Sequence, residues 1–249
     1  MAFAEFAADL VLAVGGKDPS PRTAAIIVAA GNSTRMGGRG QKNLLLLAGK
    51  PVLAHTLIAF ENASNIDEIV VVARAEDVEQ VWEIKDAYQI SKLTAVTRGG
   101  ATRALSVQKG FAKIHPKTKY VAIHDGARCL ITPADITKIS RAAYRHRAAT
   151  AATPVTDTVK MKNKHGFIDS TTDRNKVMLV QTPQIFHADL YRAALANVDD
   201  DQLTDDNQLI ERIGHPIKPV NIGKHNLKIT HPEDVAWAEF ILKSREEAP

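Results

Sequence analysis

Apolar positions along this chain alternate between two patterns. AAIIVAA (24–30) is a continuous apolar run bounded by glycine, as expected of a strand covered on both faces, and KPVLAHTLIAFENA (50–63) follows with the spacing of an amphipathic helix. The pair recurs: IDEIVVVAR (66–74) precedes AEDVEQVWEIKDAYQI, LTAVTR (93–98) precedes ATRALSVQKGFAKI, and YVAIHD (120–125) precedes PADITKISRAAYRHR. Repeated strand and helix pairs of this length predict a three-layer α/β fold, with a mostly parallel sheet, helices on both faces and ligands at the carboxyl ends of the strands.

After residue 150 the rhythm changes. TPVTDTVKMKNKHGFIDSTTDRNKVMLVQTPQIF reads as two polar, alternating strands about the turn NKHG and a return strand near 177–181, a hairpin arm over about 156–177 that leaves the body. A two-stranded arm is marginal in water by itself, so dimerisation through it is expected. Helices are predicted from His187 to Asn197 and from TDDNQLIERIG, the second capped by Thr204 with Asp205 and Asp206 complementing its dipole. PIKPVNIG and NLKIT read as short strands, and THPE gives Thr230 and Glu233 capping-box spacing before a last helix, VAWAEFIL.

Composition narrows the function classes. The 249 residues, 45% hydrophobic, are enough for one large domain, read here as residues 23–249 behind an extension, 1–22. That extension, MAFAEFAADLVLAVGG and the linker KDPSPRT, carries Glu5 and Asp9 where a signal peptide needs positive charge; a short amphipathic helix or a frayed leader is expected instead. No run approaches the roughly 18 apolar residues of a membrane span. The formal charge is +4, from 32 cations against 28 acids, with only 5% aromatic residues scattered along the chain. This suits a small anionic substrate better than a polynucleotide, which needs stacking platforms. Cys129 is the single cysteine, so an internal disulfide is impossible and a cytoplasmic location is expected.

The candidate chemistry gathers after the strands. In AAGNSTRMGGRGQK the P-loop ending and the dinucleotide-fold spacing are both absent. Backbone amides freed by Gly31, Gly37, Gly38 and Gly40 can nevertheless wrap a triphosphate, with Arg35 and Lys42 supplying charge in the transition state. Asp125 ends the strand of VAIHDGARC where Mg²⁺ can sit against substrate phosphates, and Arg128 offers a guanidinium to phosphate nearby. His124 points to the opposite face from Asp125 and is expected in the core. In RGGATRALSVQKG, Gly99 and Gly100 allow close approach of a base or ribose, and Arg103 and Ser106 open a helix. His165, His187, His215 and His231 lack metal-site spacing.

Taken in order, IVAAGNSTRMG…QK, GGATRALSV, IHDGARC, PVTDTV, TDRN, QTPQIF, TDDNQLIE and LKIT, from residue 27 to 230, resemble the 2-C-methyl-D-erythritol 4-phosphate cytidylyltransferase family. The resemblance implies a Rossmann-like nucleotidyltransferase domain that transfers CMP from CTP to a polyol phosphate with Mg²⁺ and releases pyrophosphate, in isoprenoid precursor synthesis. It implies that Ala29, Ala30 and Gly31 hold the nucleotide and that Arg35 and Lys42 stabilise the pentacoordinate phosphorus. Asp125 then binds the metal, and Gly100, Arg103 and Ser106 line the cytidine pocket. It also implies that Arg128, Asp157, Thr158, Arg174 and Lys228 bind the second substrate, the arm serving a neighbouring subunit in a homodimer. Three positions depart from the family pattern: Gln41 and Cys129 stand where proline is usual and Ala101 where a more polar residue is usual. Without proline's stiffness, Lys42 is expected to be more mobile before CTP binds. Ribitol-5-phosphate cytidylyltransferase is the alternative within the fold, and a non-catalytic nucleotide- or RNA-binding module the alternative of another class.

Overall fold

A computed structural model describes residues 20–31, 41–196 and 203–247. The expected leader helix therefore lies outside the described residues. β1 (Thr23–Val28) is followed by the short hairpin of β2 (Leu46–Leu47) and β3 (Lys50–Pro51), then α1 (Val52–Glu61). Next come β4 (Glu68–Ala73), α2 (Val78–Ala87) behind a 3₁₀ turn, β5 (Leu93–Arg98), α3 (Arg103–Phe111), β6 (Tyr120–Asp125) and α4 (Pro133–His146). β7 (Ala148–Pro154) leads to the arm strands β8 (Val159–Lys162) and β9 (Ile168–Thr172). The chain returns through β10 (Met178–His187), α5 (Ala188–Leu195), α6 (Asn207–Arg212), β11 (Lys218–Asn221) and α7 (Glu233–Glu246).

One sheet of seven strands, ordered β11-β7-β10-β6-β1-β4-β5, forms the middle layer. β1 pairs in parallel with β4 and β6, β5 with β4 and β11 with β7, while β10 runs antiparallel between β6 and β7. Both faces are covered, which explains the continuous apolar runs. Ala25 and Ile27 of β1 face a layer that includes Leu53 and Leu57 of α1, Ile84 of α2 and Ile136 of α4. Ile26 faces Val107 of α3, Tyr191 of α5 and Ile210 of α6. A third cluster, Leu47, Val52, Cys129, Leu130, Ile229 and Ala238, seats α7 beside the turn that follows β6.

Several sequence expectations change. β7, AATAATP, is a buried strand that the alanine-rich sequence does not announce; its place between β10 and β11, not its propensity, makes it one. NLKIT is not a strand, because its hydrogen bonds run to the turn after β6 instead of along a neighbour: Ile229 N–H donates to the Ala127 carbonyl at 2.9 Å. Thr204 does not cap α6, whose N-cap is Asp206; its hydroxyl accepts from Gln208 Nε2 at 2.6 Å. The Thr230–Glu233 capping box is likewise absent. Asp234, one residue later, accepts from the backbone N–H groups of Thr230 and His231, both at 2.7 Å.

α3 rides unusually close to the sheet. A Cβ on Gly110 would lie 2.6 Å from Ile26 Cγ2 and 2.8 Å from Val72 Cγ2. Gly110→Ala gains about 1 kcal/mol of helix propensity, but overpacking against core side chains costs about 1–3 kcal/mol. Both neighbours are fully buried and cannot yield cheaply. Net destabilisation of about 1 kcal/mol in urea unfolding is expected.

Candidate active site

The carboxyl ends of β1, β5 and β6 meet at one edge of the sheet around a cleft of about 370 Å³, within the usual range for small-molecule sites. Ala30 and Gly31 line it from beyond β1, Lys42 and Asn43 from the next loop, and Gly100, Arg103 and Ser106 from the turn into α3. Asp125 closes β6 at its floor and Lys228 reaches it from the tail. Sequence reading anticipated most of these residues, and the fold brings them together. Ala29 sits behind the cleft, 3% exposed. Asp157, Thr158 and Arg174 lie exposed on the arm and do not line the cleft; the Arg174 guanidinium donates to the Thr156 carbonyl at 2.8 Å. Arg35 and Arg39, with Gly37, Gly38 and Gly40, lie outside the described residues.

Asp125 is the electrostatic centre. Its carboxylate is 2.8 Å from Lys228 Nζ, 3.5 Å from Arg128 Nε and 3.9 Å from Arg103 Nε. Burial alone would raise its pKa, but Lys228, Arg103 and Arg128 outweigh burial and hold it well below the usual carboxylate range. Arg128 is itself made less basic by burial; one of its terminal nitrogens donates to the Asn226 carbonyl at 3.0 Å, and its Nε is buried without a hydrogen-bond acceptor among the described residues. Burial also opposes the charge on Arg103, yet Asp206 and Asp125 prevail and raise its pKa. Asp206 binds Arg103 at 2.6 Å and accepts from the Tyr191 hydroxyl at 2.7 Å. With Lys42 added, cations outnumber carboxylates around the cleft, a field suited to a phosphorylated ligand.

His124, fully buried, works from behind. Burial lowers its pKa to about 3, so the ring is neutral. The Arg128 carbonyl, 3.2 Å from Nε2, can only accept, which puts the proton on Nε2. Nδ1 then accepts from the Thr182 hydroxyl at 3.1 Å, whose oxygen accepts from the Asp125 backbone N–H at 3.0 Å. This chain of hydrogen bonds fixes the turn from Asp125 to Arg128 against β10.

The glycine pair after β5 is also demanded by the chain's own packing. A Cβ on Gly99 would meet Ala30 Cβ at 2.5 Å, and one on Gly100 would meet Leu105 Cβ at 2.5 Å. These glycines let the chain's own loop and helix approach closely. Ser106 accepts from the Gly100 N–H at 3.0 Å and donates to the Thr102 carbonyl at 2.9 Å, so its hydroxyl shapes the same turn. Gln41 departs from expectation: far from leaving the loop slack, its side chain donates to the Ala29 carbonyl at 3.2 Å and to Asp77 Oδ2 at 3.0 Å. Cys129 is buried, its thiol pushed up to about 12, a packing residue and not a nucleophile. Asp206 and Asn43 are the site residues that sequence reading missed. The acidic pair in TDDN was the available signal for Asp206, but it read equally well as dipole compensation.

Comparison with known proteins agrees with this geometry. A family model described as 2-C-methyl-D-erythritol 4-phosphate cytidylyltransferase matches residues 23–244. Proteins of that description from Pelotomaculum thermopropionicum and Dehalococcoides mccartyi are 40% and 41% identical to the chain, over 90% and 89% of it and 96% of their own length. The crystal structure of 4-diphosphocytidyl-2C-methyl-D-erythritol synthase from Anaerococcus prevotii superposes with a TM-score of 0.80 at 29% identity, covering 90% of this chain and 97% of its own. That of the cytidylyltransferase from Thermus thermophilus does so at 0.71 and 30%, covering 89% and 99%. A match running from β1 into α7, with relatives aligned along nearly their whole length, is decisive, and the chain belongs to the 2-C-methyl-D-erythritol 4-phosphate cytidylyltransferase family.

Proposed function

We propose that the cleft holds both CTP and methylerythritol phosphate, the single supporting observation being the set of cations gathered there: Arg103, Arg128 and Lys228 about the carboxylate of Asp125, with Lys42 lining the same cleft. A phosphate oxygen of the polyol attacks the α-phosphorus of CTP; the new P–O bond forms as the bond to the β-phosphate bridging oxygen breaks, and pyrophosphate leaves with that electron pair. Phosphorus bonds are only exchanged, so positioning and charge neutralisation supply the catalysis. Lys42 stabilises the charge that builds at the α-phosphorus, a role that the family resemblance also gives to Arg35. Ala29, Ala30 and Gly31 form the backbone wall of the nucleotide site, Gly100, Arg103 and Ser106 its cytidine side, while Arg128 and Lys228 take the polyol phosphate.

Among the described residues no cluster of three histidine, cysteine or acidic side chains could hold a metal ion, and Asp125 is the one carboxylate lining the cleft. That donor set fits Mg²⁺, which binds through one or two carboxylates, substrate phosphates and water. When bound it would neutralise the triphosphate, with Asp125 as its protein ligand.

The reading extends to a homodimer. The arm exposes Met161, Phe167 and Ile168, and Leu179 of β10 is exposed beside it, more apolar surface than a two-stranded hairpin leaves to water without a partner. Asp157, Thr158 and Arg174 then serve the neighbouring cleft. Residues 1–22 are an extension of the catalytic domain 23–249, and the location is cytoplasmic; no described helix is long and apolar enough to cross a membrane.

Mixing inactive variants tests this. Lys42→Ala and Arg174→Ala, each expected to release little pyrophosphate alone, should recover about a quarter of wild-type activity after exchange at equal amounts, since half the dimers then hold one intact cleft of two. The recovery should require Mg²⁺ and vanish with a chelator. No recovery despite confirmed subunit exchange would place each arm at its own cleft.

A further inference from the structure

The residues on either side of Lys42 donate to one and the same acceptor. Gln41 Nε2 lies 3.2 Å and Asn43 Nδ2 2.8 Å from the Ala29 carbonyl oxygen, whose two lone pairs accommodate both. Gln41 donates its second N–H to Asp77 Oδ2 at 3.0 Å. Both of its neighbours can only accept, so the nitrogen and not the oxygen of the amide must face them.

The anchors are rigid. Ala29 extends β1, its N–H donating to the Val72 carbonyl at 2.7 Å. Asp77, 5% exposed, is held by Arg74 through two bonds of 2.8 Å. The Leu44 N–H donates to the Gln41 carbonyl at 2.9 Å, closing a turn over Lys42, and the Leu53 N–H donates to the Asn43 carbonyl at 2.8 Å, tying the turn to the start of α1. Among the described residues Asn43 Oδ1 is buried without a hydrogen-bond partner, so Asn43 accepts that penalty for the bond its amide nitrogen makes.

We propose that Gln41 and Asn43 form a clamp that fixes the backbone on both sides of Lys42 and so aims its ammonium at the reacting phosphorus. They are positioning residues, and their role rests on the reading of Lys42 given above. A lysine has a flexible four-carbon stem. Holding its Cα removes one source of misplacement, and in a reaction driven by positioning a displacement of about 1 Å can cost about a hundredfold.

The test measures kcat, KM for CTP and the thermal midpoint in the full-length chain. Gln41→Ala should lower kcat about tenfold with KM for CTP changed less than about twofold, and adding Asn43→Ala should lower kcat further. Gln41→Glu keeps the length but sets a carboxylate against the Ala29 carbonyl and Asp77, so it should be slower than Gln41→Ala. Adding Asp77→Asn to Gln41→Glu exchanges donor and acceptor and should restore part of the loss. Should Gln41→Glu fail to fold, Gln41→Met offers similar length without a donor and should match Gln41→Ala. A space-filling role would reverse the order, with Glu and Met near wild type and Ala worst, and would move KM and the thermal midpoint together with kcat. Wild-type kcat in Gln41→Ala alongside an inactive Lys42→Ala overturns the clamp alone. Wild-type kcat in Lys42→Ala overturns the reading of Lys42 itself.

Discussion

Asp125→Asn is expected to lower kcat by about a thousandfold or more and yet to bind metal-free CTP at least as tightly as the native chain. The two effects have opposite signs because the carboxylate has two relationships. In the structure it neutralises Lys228, Arg128 and Arg103, and so competes with the substrate phosphates for the same cations. Asparagine removes a negative charge that repels the triphosphate and leaves the cleft more positive, which favours ground-state binding, but it also removes the one carboxylate that lines the cleft among the described residues and could take a divalent ion. The fold should survive. Breaking a fully buried ion pair costs about 3–5 kcal/mol, but Lys228 and Arg103 are 34% and 25% exposed and can hydrate in the cleft, so a loss nearer about 1–2 kcal/mol is expected. Calorimetric titration of CTP in chelator, beside turnover in Mg²⁺, separates the contributions. Retained turnover would remove Asp125 from the mechanism, and weaker metal-free binding would refute the competition.

The division between what was legible and what was not follows the range of the interactions. β6 begins and ends where YVAIHD does, because a strand covered on both faces writes its burial into consecutive residues; β5 matches LTAVTR too, although it is an edge strand in which only Leu93 is buried. Asp125, Arg103 and Lys42 were legible because charge just beyond such a strand has few other uses. AATAATP was not, since alanine carries no strand signal and the segment is a strand only because β10 and β11 flank it. Lys228 was identified while its segment was misread: NLKIT looks like a strand, but it lies across the turn after β6, where Asn226 accepts from Arg128 and also donates to the Thr182 carbonyl at 2.9 Å. Asp206 is 103 residues from Arg103 in sequence. No local pattern could join them. Gln41 shows the same limit from the other side: a missing proline suggested slack, whereas the stiffness comes from Asp77, 36 residues away.

Lys42→Ala should lower kcat by about a hundredfold to a thousandfold while CTP affinity falls by less than about threefold. Arg103, Arg128 and Lys228 remain around the cleft, so the ground-state triphosphate still meets a surplus of positive charge. The α-phosphorus differs from the rest of the triphosphate in gaining charge only as the new bond forms, and a cation aimed at it contributes chiefly at that moment. Lys42→Arg should recover only part of the loss, because a planar guanidinium on a longer stem does not reproduce a compact ammonium at the same point. The clamp at Gln41 and Asn43 sharpens that expectation, since it fixes the Cα from which either side chain must reach. Single-turnover kinetics with saturating CTP would show the loss in the chemical step. A loss confined to CTP binding, with kcat unchanged, would make Lys42 a docking residue and leave the charge at the reacting phosphorus to other groups.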